Sequence, residues 1–217
     1  EVGPTVDGPT RRDGRPIAEA VTDRLFTTSE ALDQEIELQR WAEASAAPPT
    51  EGLDPHQAAV KAITGLDPLV VVVGPAGTGK TTVIRALIKA IKRGHGVGSS
   101  VIALAPTGKA ADRIREVVEK DEALQGQVEV ATIHSFLAKR GWLNDNMTFK
   151  RAGGSIEENY ATYILDECSM LELALTATFF RAVRWPTVQR LILVGDPNQL
   201  PPIGRGRLFA DIIEFVK

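Results

Sequence analysis

One segment, residues 70–82, limits what this chain can fold into more than any other. It reads VVVVGPAGTGKTT, so an apolar run leads directly into a glycine-rich turn. Residues 74–81 match the pattern G-x-x-x-x-G-K-[ST] at every position. Glycines allow a backbone to wrap closely around an anion and present N–H groups to it, and a helix starting at the turn adds the positive end of its dipole. The segment therefore predicts a strand, a phosphate-binding loop and a helix, in that order.

The residues of this loop predict a site for a polyphosphate and Mg²⁺, which the resemblance described below identifies as a site for ATP and Mg²⁺. We expect Lys80 to reach the β- and γ-phosphates and the hydroxyl of Thr81 to coordinate Mg²⁺. Backbone contacts to the nucleotide are expected from Gly74, Pro75, Ala76, Gly77, Thr78, Gly79 and Thr82. The apolar residues that follow share one helical face, at Val83, Ile84, Leu87, Ile88 and Ile91. The strand and the amphipathic helix around the loop favour a nucleotide site over a glycine-rich turn without a ligand.

Composition narrows the class of protein. The 217 residues suffice for one filled domain with an appended element, and a hydrophobic fraction of 43% is ordinary for a globular protein. The net charge of −3 excludes a positive field over the whole surface, so any nucleic-acid contact is expected to be local. The single cysteine, Cys168, excludes an internal disulfide and is in keeping with a reducing cytoplasm, the location we expect. No apolar run reaches the roughly 18 residues of a membrane span.

Two N-terminal segments precede the loop. Residues 1–16 contain three prolines and three glycines, a composition typical of a linker or tail. Apolar periodicity predicts a helix from Ser29 to Ala47, which Pro48 ends. We therefore expect residues 1–50 to form a partly disordered linker with one helix, and residues 51–217 to form the main domain. Because the chain starts with Glu1 rather than Met, we expect it to be a piece of a longer protein.

Gln57 has two competing interpretations. Residues 54–57 suit the first turn of a helix, with Asp54 as the N-cap and Gln57 as the capping-box residue that returns to the backbone. A side-chain amide shortly before a phosphate-binding loop could instead read the edge of an adenine. Spacing alone favours the cap, because capping boxes are common.

Apolar segments of strand length alternate with helical patterns through the rest of the chain. Strands are expected at residues 70–73, 101–105, 128–131, 160–165 and 190–194. The helix after the second strand carries its apolar face at Ala110, Ala111, Ile114, Val117 and Val118. This alternation predicts an α/β fold in which helices cover both faces of a parallel sheet. Each polar motif follows the C-terminal end of a strand, which is the ligand-binding edge of such a sheet.

Acidic and amide side chains follow the fourth and fifth strands. Asp166 is expected to hold Mg²⁺, and Glu167 to orient or deprotonate the water that attacks the γ-phosphate. Paired acids are common by chance, and this pair gains its significance from lying downstream of a complete phosphate-binding loop. Gln199 could hydrogen-bond both the γ-phosphate and the water; the alternative is a turn residue before Pro201.

Hydroxyl residues follow the second and third strands. Thr107, Thr132 and Ser135 could contact the phosphates of a single nucleic-acid strand, but each on its own is more often a helix N-cap. His134 on its own is more often a packed or capping histidine, and no second histidine lies near enough in sequence to suggest a metal site.

Residues 138–159 interrupt the alternation. They contain four basic and two aromatic side chains around an Asn-Asp-Asn turn. This pattern predicts a small, positively charged β-hairpin, which is either a solvated surface excursion or a nucleic-acid-binding element.

Six motifs in this order resemble the first RecA-like domain of superfamily 1 helicases, and in particular the RecD-like group that includes the helicase parts of conjugative relaxases. They lie at residues 53–57, 74–81, 105–111, 132–137, 166–170 and 195–202, so the resemblance runs from Leu53 to about Phe215. It implies a P-loop motor domain that moves 5′ to 3′ along single-stranded DNA. It also implies that Gln57 contacts adenine, which reverses the preference from spacing, and it supports the roles of Lys80, Thr81, Asp166 and Glu167. Gln199 would couple the γ-phosphate to the DNA.

The resemblance implies a DNA track as well. Its expected residues are Pro106, Thr107, Lys109, Thr132, His134 and Ser135. Residues 138–159 lie where relatives insert a strand-separating pin, and Phe149 or Trp142 would be its wedge.

Two departures from the family pattern qualify these expectations. Because Lys217 falls where a second RecA-like domain would begin, we expect this partner domain to supply the missing arginines and the present chain to hydrolyse ATP poorly. The chain also contains no His-x-His pair of a relaxase. The alternatives are an ATP-gated binding module without unwinding activity and an RNA-directed helicase.

Overall fold

The computed structural model describes residues 68–75, 77–94, 100–199 and 208–216. Strands and helices alternate through these ranges. The strands are β1 (Leu69–Val73), β2 (Val101–Ala105), β3 (Val128–Thr132), β4 (Thr162–Leu165) and β5 (Arg190–Gly195). The helices are α1 (Lys80–Gly94), α2 (Gly108–Glu119), α3 (Ile133–Lys139), α4 (Leu173–Ala182) and α5 (Leu208–Val216), with short 3₁₀ turns at Cys168–Met170 and Trp185–Thr187. The helix predicted for residues 29–47, and Gln57, lie outside the described residues.

The strands form one parallel sheet in the order β1-β5-β4-β2-β3. The register pairs Val71 with Leu193, and Ile164 with both Ile192 and Ala103. Parallel strands need crossover connections, and the helices between consecutive strands supply them. The predicted α/β fold with a parallel sheet is therefore confirmed.

Both faces of the sheet are covered. Alternate residues of β1 enter opposite cores, with Val70 and Val72 on one side and Leu69 and Val71 on the other. Helices α1 and α2 cover the first face, and α3, α4 and α5 cover the second. Each fully buried Leu or Ile side chain contributes about 1.5–3 kcal/mol by leaving water. The fold is thus held from both sides, which leaves the strand ends as the accessible edge.

The predicted helical faces agree with the burial of α1 and α2, with one exception. All five apolar residues predicted for the face of α1 are buried. On α2, Val117 is only half-buried, while the other four predicted residues are buried. Val117 lies at the border of the apolar stripe, where a helix curves away from the sheet.

Four strands differ from the predicted bounds: β1 begins one residue earlier, β3 and β5 each end one residue later, and β4 begins two residues later. The prediction that β4 begins at Tyr160 is wrong, because the strand starts at Thr162. The carbonyl of Ala161 accepts hydrogen bonds from the N–H groups of Gln189 and Arg190 at 2.8 and 3.1 Å, which marks the entrance to the ladder. Strand β5 continues to Gly195, whose carbonyl accepts a hydrogen bond from the N–H of Gly74 at 3.1 Å. This bond attaches the start of the phosphate-binding loop to the central part of the sheet.

Residues 140–157 form a loop in which the predicted small β-hairpin is reduced to a single antiparallel bridge. One antiparallel bridge joins Leu143 to Phe149, and the Asn144 N–H donates to the Thr148 carbonyl at 2.9 Å. Met147 lies at the tip, with φ at 63° and its side chain 59% exposed. The turn closes so soon after the bridge that no longer ladder forms.

Trp142 anchors this loop to the domain. Its indole is buried, and its N–H donates to the Ser155 carbonyl at 2.7 Å. The backbone of Gly154 lies against the ring so closely that a Cβ there would be 2.4 Å from it. A buried indole cannot insert between bases without opening the loop, so the suggestion that Trp142 serves as a wedge is wrong.

Candidate active site

Three loops meet at one edge of the sheet because their strands are neighbours. Residues 74–81 follow β1, Asp166 and Glu167 follow β4, and Asp196–Gln199 follow β5, which lies between the other two strands. We call this group of loops the phosphate edge. A pocket of about 510 Å³ opens there. Its described lining residues are Gly77, Gly79, Lys80, Thr81, Arg113, Asp166, Glu167 and Gln199.

The phosphate-binding loop has the backbone that its glycines predict. Gly77 and Gly79 have φ angles of 81° and 82°, a region that side chains with a Cβ rarely adopt. The Gly79 carbonyl accepts hydrogen bonds from the N–H groups of Thr82 and Val83 at 2.8 and 3.1 Å, which begins α1 directly after the loop. Lys80 Nζ donates to the carbonyls of Gly74 and Pro75 at 3.0 and 3.2 Å, so its ammonium lies within the loop.

Other predicted residues of the loop lie nearby. Thr81 is half-buried at the pocket wall, and Thr82 is exposed. Thr78 stabilises the turn by donating its hydroxyl to the Pro75 carbonyl at 2.7 Å. Ala76 lies outside the described residues.

Asp166 is a buried carboxylate beside two cations. It is 4% exposed, and its Oδ1 accepts a hydrogen bond from the Glu167 N–H at 2.8 Å. Burial raises the pKa of Asp166 to about 6; the Glu167 charge adds to the increase, and the Glu167 N–H and the charges of Lys80 and Arg113 oppose it. A carboxylate oxygen near the Thr81 hydroxyl is the kind of donor set that Mg²⁺ prefers. These residues therefore fit a divalent cation.

Glu167 is held in an uncommon conformation. Its φ and ψ angles are 52° and 42°, a left-handed conformation that costs a non-glycine residue about 1–2 kcal/mol. Its Oε2 is buried and accepts no hydrogen bond from any described residue. A strained residue with a buried acceptor that lacks a donor is well suited to receive a proton from a water in the pocket.

Gln199 belongs to a turn and also faces the pocket. Its N–H donates to the Asp196 carbonyl at 3.1 Å, as the turn interpretation requires. Its side-chain Oε1 accepts a hydrogen bond from the hydroxyl of Ser169 at 3.2 Å. With its oxygen held by Ser169, the amide has its N–H₂ group left to donate. The two interpretations of Gln199 are therefore compatible, and Ser169 links the loops after β4 and β5.

Arg113 is a pocket residue that the sequence analysis missed. It lies in the second turn of α2, on the side opposite the buried residues Ala111 and Ile114. The only signal in the sequence was a charged residue shortly after the Thr107 motif, and nothing in the spacing shows that it reaches the acids after β4. The Asp166 N–H donates to the Leu104 carbonyl at 2.9 Å, and this contact brings the end of β4 beside the strand that leads to α2.

The residues expected on the DNA track follow β2 and β3, which are neighbours at the far side of the sheet. We call residues 106–109, residues 132–135 and Phe149 together the β2–β3 edge. Thr107 caps α2 by accepting from the Ala110 N–H at 3.3 Å, and Thr132 caps α3 by accepting from the Ser135 N–H at 3.1 Å. The N-cap interpretations of these two threonines are therefore confirmed.

The remaining side chains of this edge are partly open to solvent. The N-cap interpretation is wrong for Ser135, which lies inside α3 and donates its hydroxyl to the Thr132 carbonyl at 2.9 Å. Lys109 is exposed and Pro106 is half-buried. The ring of His134 lies 5.8 Å from that of Phe149, tilted by 39°. The structure thus joins two residues that were predicted separately, and it places Phe149 at the base of the loop and not at its tip.

Searches of the described ranges find neither of two other kinds of site. No helix in them is long and apolar enough to cross a membrane. No three or more His, Cys, Asp or Glu side chains in them are clustered as a metal-binding group.

Comparison with known proteins gives consistent similarities. A family model described as an AAA domain matches residues 56–205. The chain is 33% identical over 153 residues to the uncharacterized protein MJ1519 of Methanocaldococcus jannaschii, covering 68% of this chain and 12% of that protein. It is 34% identical over 175 residues to the RecBCD enzyme subunit RecD of Mycolicibacterium smegmatis, covering 75% of this chain and 30% of the relative.

A third relative is the ATP-dependent RecD2 DNA helicase of Deinococcus radiodurans, 33% identical over 158 residues, which are 72% of this chain and 19% of the relative. The resemblance to RecD-like proteins is therefore confirmed. The chain spans less than a third of the length of each of these three relatives.

Proposed function

This chain belongs to the AAA-domain family, and from that membership we propose that it is the ATP-binding motor domain of a RecD-like DNA helicase. The observation that carries the proposal is the single pocket that brings Lys80, Thr81, Asp166, Glu167 and Gln199 together from three loops. The similarity to a relative named as an ATP-dependent DNA helicase supports DNA as the track. The direction that we propose, 5′ to 3′, is the one that the resemblance of the motifs implies. A cytoplasmic location and the division into residues 1–50 and 51–217 are part of the same proposal.

The proposed reaction is hydrolysis of ATP. The triphosphate lies along the loop formed by residues 74–80, and Gln57 contacts the adenine. Thr81 and Asp166 hold Mg²⁺, which neutralises charge on the β- and γ-phosphates. Lys80 moves from the carbonyls of Gly74 and Pro75 to the phosphate oxygens. Its ammonium group interacts more strongly with a negatively charged oxygen than with a neutral carbonyl.

Glu167 and Gln199 act on the attacking water. Glu167 accepts its proton at Oε2 while the water oxygen forms a bond to the γ-phosphorus and the bond to the β–γ bridging oxygen breaks. Gln199 donates its N–H₂ group to the γ-phosphate, so loss of that phosphate changes the loop after β5. The Gln199–Ser169 hydrogen bond transmits this change to the loop after β4.

The β2–β3 edge would bind single-stranded DNA. The Thr107 hydroxyl accepts from the Ala110 N–H and keeps its proton to donate to a phosphate. The Thr132 and Ser135 hydroxyls already donate to Ser135 Oγ and to the Thr132 carbonyl, so they would exchange these partners for phosphates, and Lys109 adds an exposed charge. Phe149 with His134 supplies a surface on which a base can stack. A second RecA-like domain would complete the track and supply the arginines that stabilise the transferring phosphoryl group, which are worth about 10³–10⁵ in rate.

The experiment is an ATPase assay with and without single-stranded DNA, together with binding of a fluorescent ATP analogue. The purified chain is compared with Lys80→Ala and with Lys89→Ala, a control on the same helix whose ammonium pairs with Asp121 at 2.5 Å. We expect slow, Lys80-dependent hydrolysis that DNA stimulates, and an unchanged Lys89→Ala variant. A chain that binds no Mg²⁺-nucleotide would refute the proposal. Equal stimulation by RNA and DNA would refute the assignment to DNA.

A further inference from the structure

Arg113 is the residue of the nucleotide pocket whose role the motifs do not explain. Among the described lining residues it alone comes from α2, whereas the others come from the loops after β1, β4 and β5. We propose that Arg113 is a second phosphate-binding cation, which contacts the terminal phosphate of a nucleoside triphosphate from the side of the pocket opposite Lys80. This inference rests on the proposed function, because it assigns a residue to the same ATP site.

The side chain of Arg113 is available to a ligand. It is exposed at the pocket, and it makes no hydrogen bond or ion pair with any other residue that the structure describes. Arg115, on the same helix, is held by Asp112 through an ion pair and by the Val130 carbonyl at 3.2 Å. Two arginines of one helix therefore differ in that one is engaged by the protein and the other faces the pocket.

The position of Arg113 in the pocket follows from its neighbours. Arg113 lines the pocket together with Asp166, Glu167 and Gln199, and the Asp166 N–H donates to the carbonyl of Leu104 in β2, the strand that leads to α2. Asp166 and Glu167 mark the Mg²⁺ and water end of the proposed site. Arg113 therefore lies at the end that receives the terminal phosphate, and not at the end that receives the base.

The charges of the pocket and of a triphosphate favour a second cation beside Lys80. A triphosphate carries more negative charge than one lysine and one Mg²⁺ neutralise, and the pocket already contains Asp166 and Glu167. A guanidinium can donate two parallel hydrogen bonds to a phosphate, a geometry that an ammonium cannot supply. A residue that contacts the terminal phosphate contributes little to the affinity for a diphosphate, which lacks that phosphate. Arg113 is therefore expected to distinguish the nucleotide before hydrolysis from the nucleotide after it.

The test measures the dissociation constants of a fluorescent, non-hydrolysable ATP analogue and of a fluorescent ADP, both with Mg²⁺. The chain is compared with Arg113→Ala, with Arg113→Lys and with the matched control Arg115→Ala. We expect Arg113→Ala to weaken binding of the triphosphate about tenfold and of the diphosphate less than about twofold. Arg113→Lys retains the charge and is expected to restore part of the loss, and Arg115→Ala is expected to bind both nucleotides like the original chain.

The outcomes separate this inference from the proposed function. If the original chain binds neither nucleotide, the ATP site itself is refuted. If it binds both and Arg113→Ala binds the triphosphate equally well, only the role of Arg113 is refuted. Equal losses for both nucleotides would also refute it, since they would indicate a general effect on the pocket. Melting temperatures of all variants without nucleotide identify any loss that is due to unfolding.

Discussion

The phosphate edge and the β2–β3 edge lie on the same sheet but satisfy their polar groups in opposite ways. At the phosphate edge, Asp166 is buried with a raised pKa, Glu167 is strained, and its Oε2 lacks a donor among the described residues. At the β2–β3 edge, Thr107 and Thr132 each accept a hydrogen bond from the helix that they begin. The polar groups of the phosphate edge therefore lower the stability of the folded protein when no ligand is bound. The polar groups of the β2–β3 edge are satisfied within the protein.

This difference explains why a sequence reveals one kind of site more clearly than the other. Residues that cost stability have no structural reason to be where they are, so their pattern points to a ligand. Residues that cap a helix already have a structural reason, so their pattern is ambiguous. Substitutions of Glu167, Asp166, Phe149 and Thr132 test this contrast.

Glu167→Gln should produce the largest change. The amide keeps the size of the side chain but cannot accept a proton, and a positioned general base contributes about 10²–10⁴ in rate. We expect a comparable fall in the ATPase turnover number while the affinity for the ATP analogue stays within about threefold. Normal turnover by this variant would show that Glu167 is not the base, and the phosphate edge would lose its main catalytic residue.

Asp166→Asn should stabilise the protein without nucleotide. In the folded chain the pKa of Asp166 is raised from 3.8 to about 6. The folded state therefore binds the proton more tightly than the unfolded state, and stability is lost as the pH rises from about 4 through about 6. Two pKa units correspond to at most about 3 kcal/mol, which the amide would recover.

The measurement for Asp166→Asn is the free energy of unfolding in EDTA at pH 4.5 and pH 7.5. We expect the variant's advantage in the free energy of unfolding to be larger at pH 7.5 than at pH 4.5. Mg²⁺ with nucleotide should stabilise the original chain and not Asp166→Asn. An advantage that is independent of pH would mean that charge burial is not the cause.

Phe149→Ala tests whether the β2–β3 edge binds anything. Stacking on an aromatic side chain is worth about 1–3 kcal/mol for each base, so we expect affinity for a labelled oligothymidine to fall about tenfold. The DNA-independent ATPase should not change, since Phe149 is not among the described residues of the pocket. Met147→Ala removes an exposed side chain from the tip of the same loop and is the matched control. If only Met147→Ala weakens binding, the contact lies at the tip and not at the base.

Thr132→Ala should have the smallest effect, mainly on stability. Loss of an N-cap costs about 1 kcal/mol, whereas Thr132→Ser retains the hydroxyl and should cost little. Chemical denaturation of the three proteins measures this difference. If Thr132→Ala is as stable as the original chain, the cap is not significant, and the contrast between the two edges would be weaker than the geometry suggests.

The sequence predicted the parts of the fold that depend on local pattern. Strand β2 has the predicted bounds, and the predicted face of α1 is buried without exception. Both follow from apolar periodicity together with a loop pattern that admits one strand–helix arrangement. The candidate pocket followed because every motif came after a strand, and parallel strands end at the same edge.

The remaining features depend on contacts between distant residues. Arg113 reaches the pocket because β4 lies beside β2 in the sheet. The spacing of the motifs in the sequence does not reveal this strand order. The resemblance implied a wedge for Trp142 because relatives insert a strand-separating pin at this place, and only the contacts with Gly154 and Ser155 show that the indole is packed. The predicted hairpin was too regular because the turn residues specify a bend but not the length of the ladder.

Both ends of the loop at residues 140–157 are fastened at one place. The Arg140 guanidinium lies 3.8 Å from the centre of the Phe136 ring, and its Nε donates to Glu157 Oε2 at 2.7 Å. Trp142 and Ser155 close the segment just inside this pair. The intervening chain is therefore a loop whose two ends are held together. Doubling its length would cost only about 0.6 kcal/mol of closure entropy. A longer segment would therefore fit between Arg140 and Glu157, provided that it keeps Trp142, Leu143 and Phe149, which pack against the core on this face of the sheet.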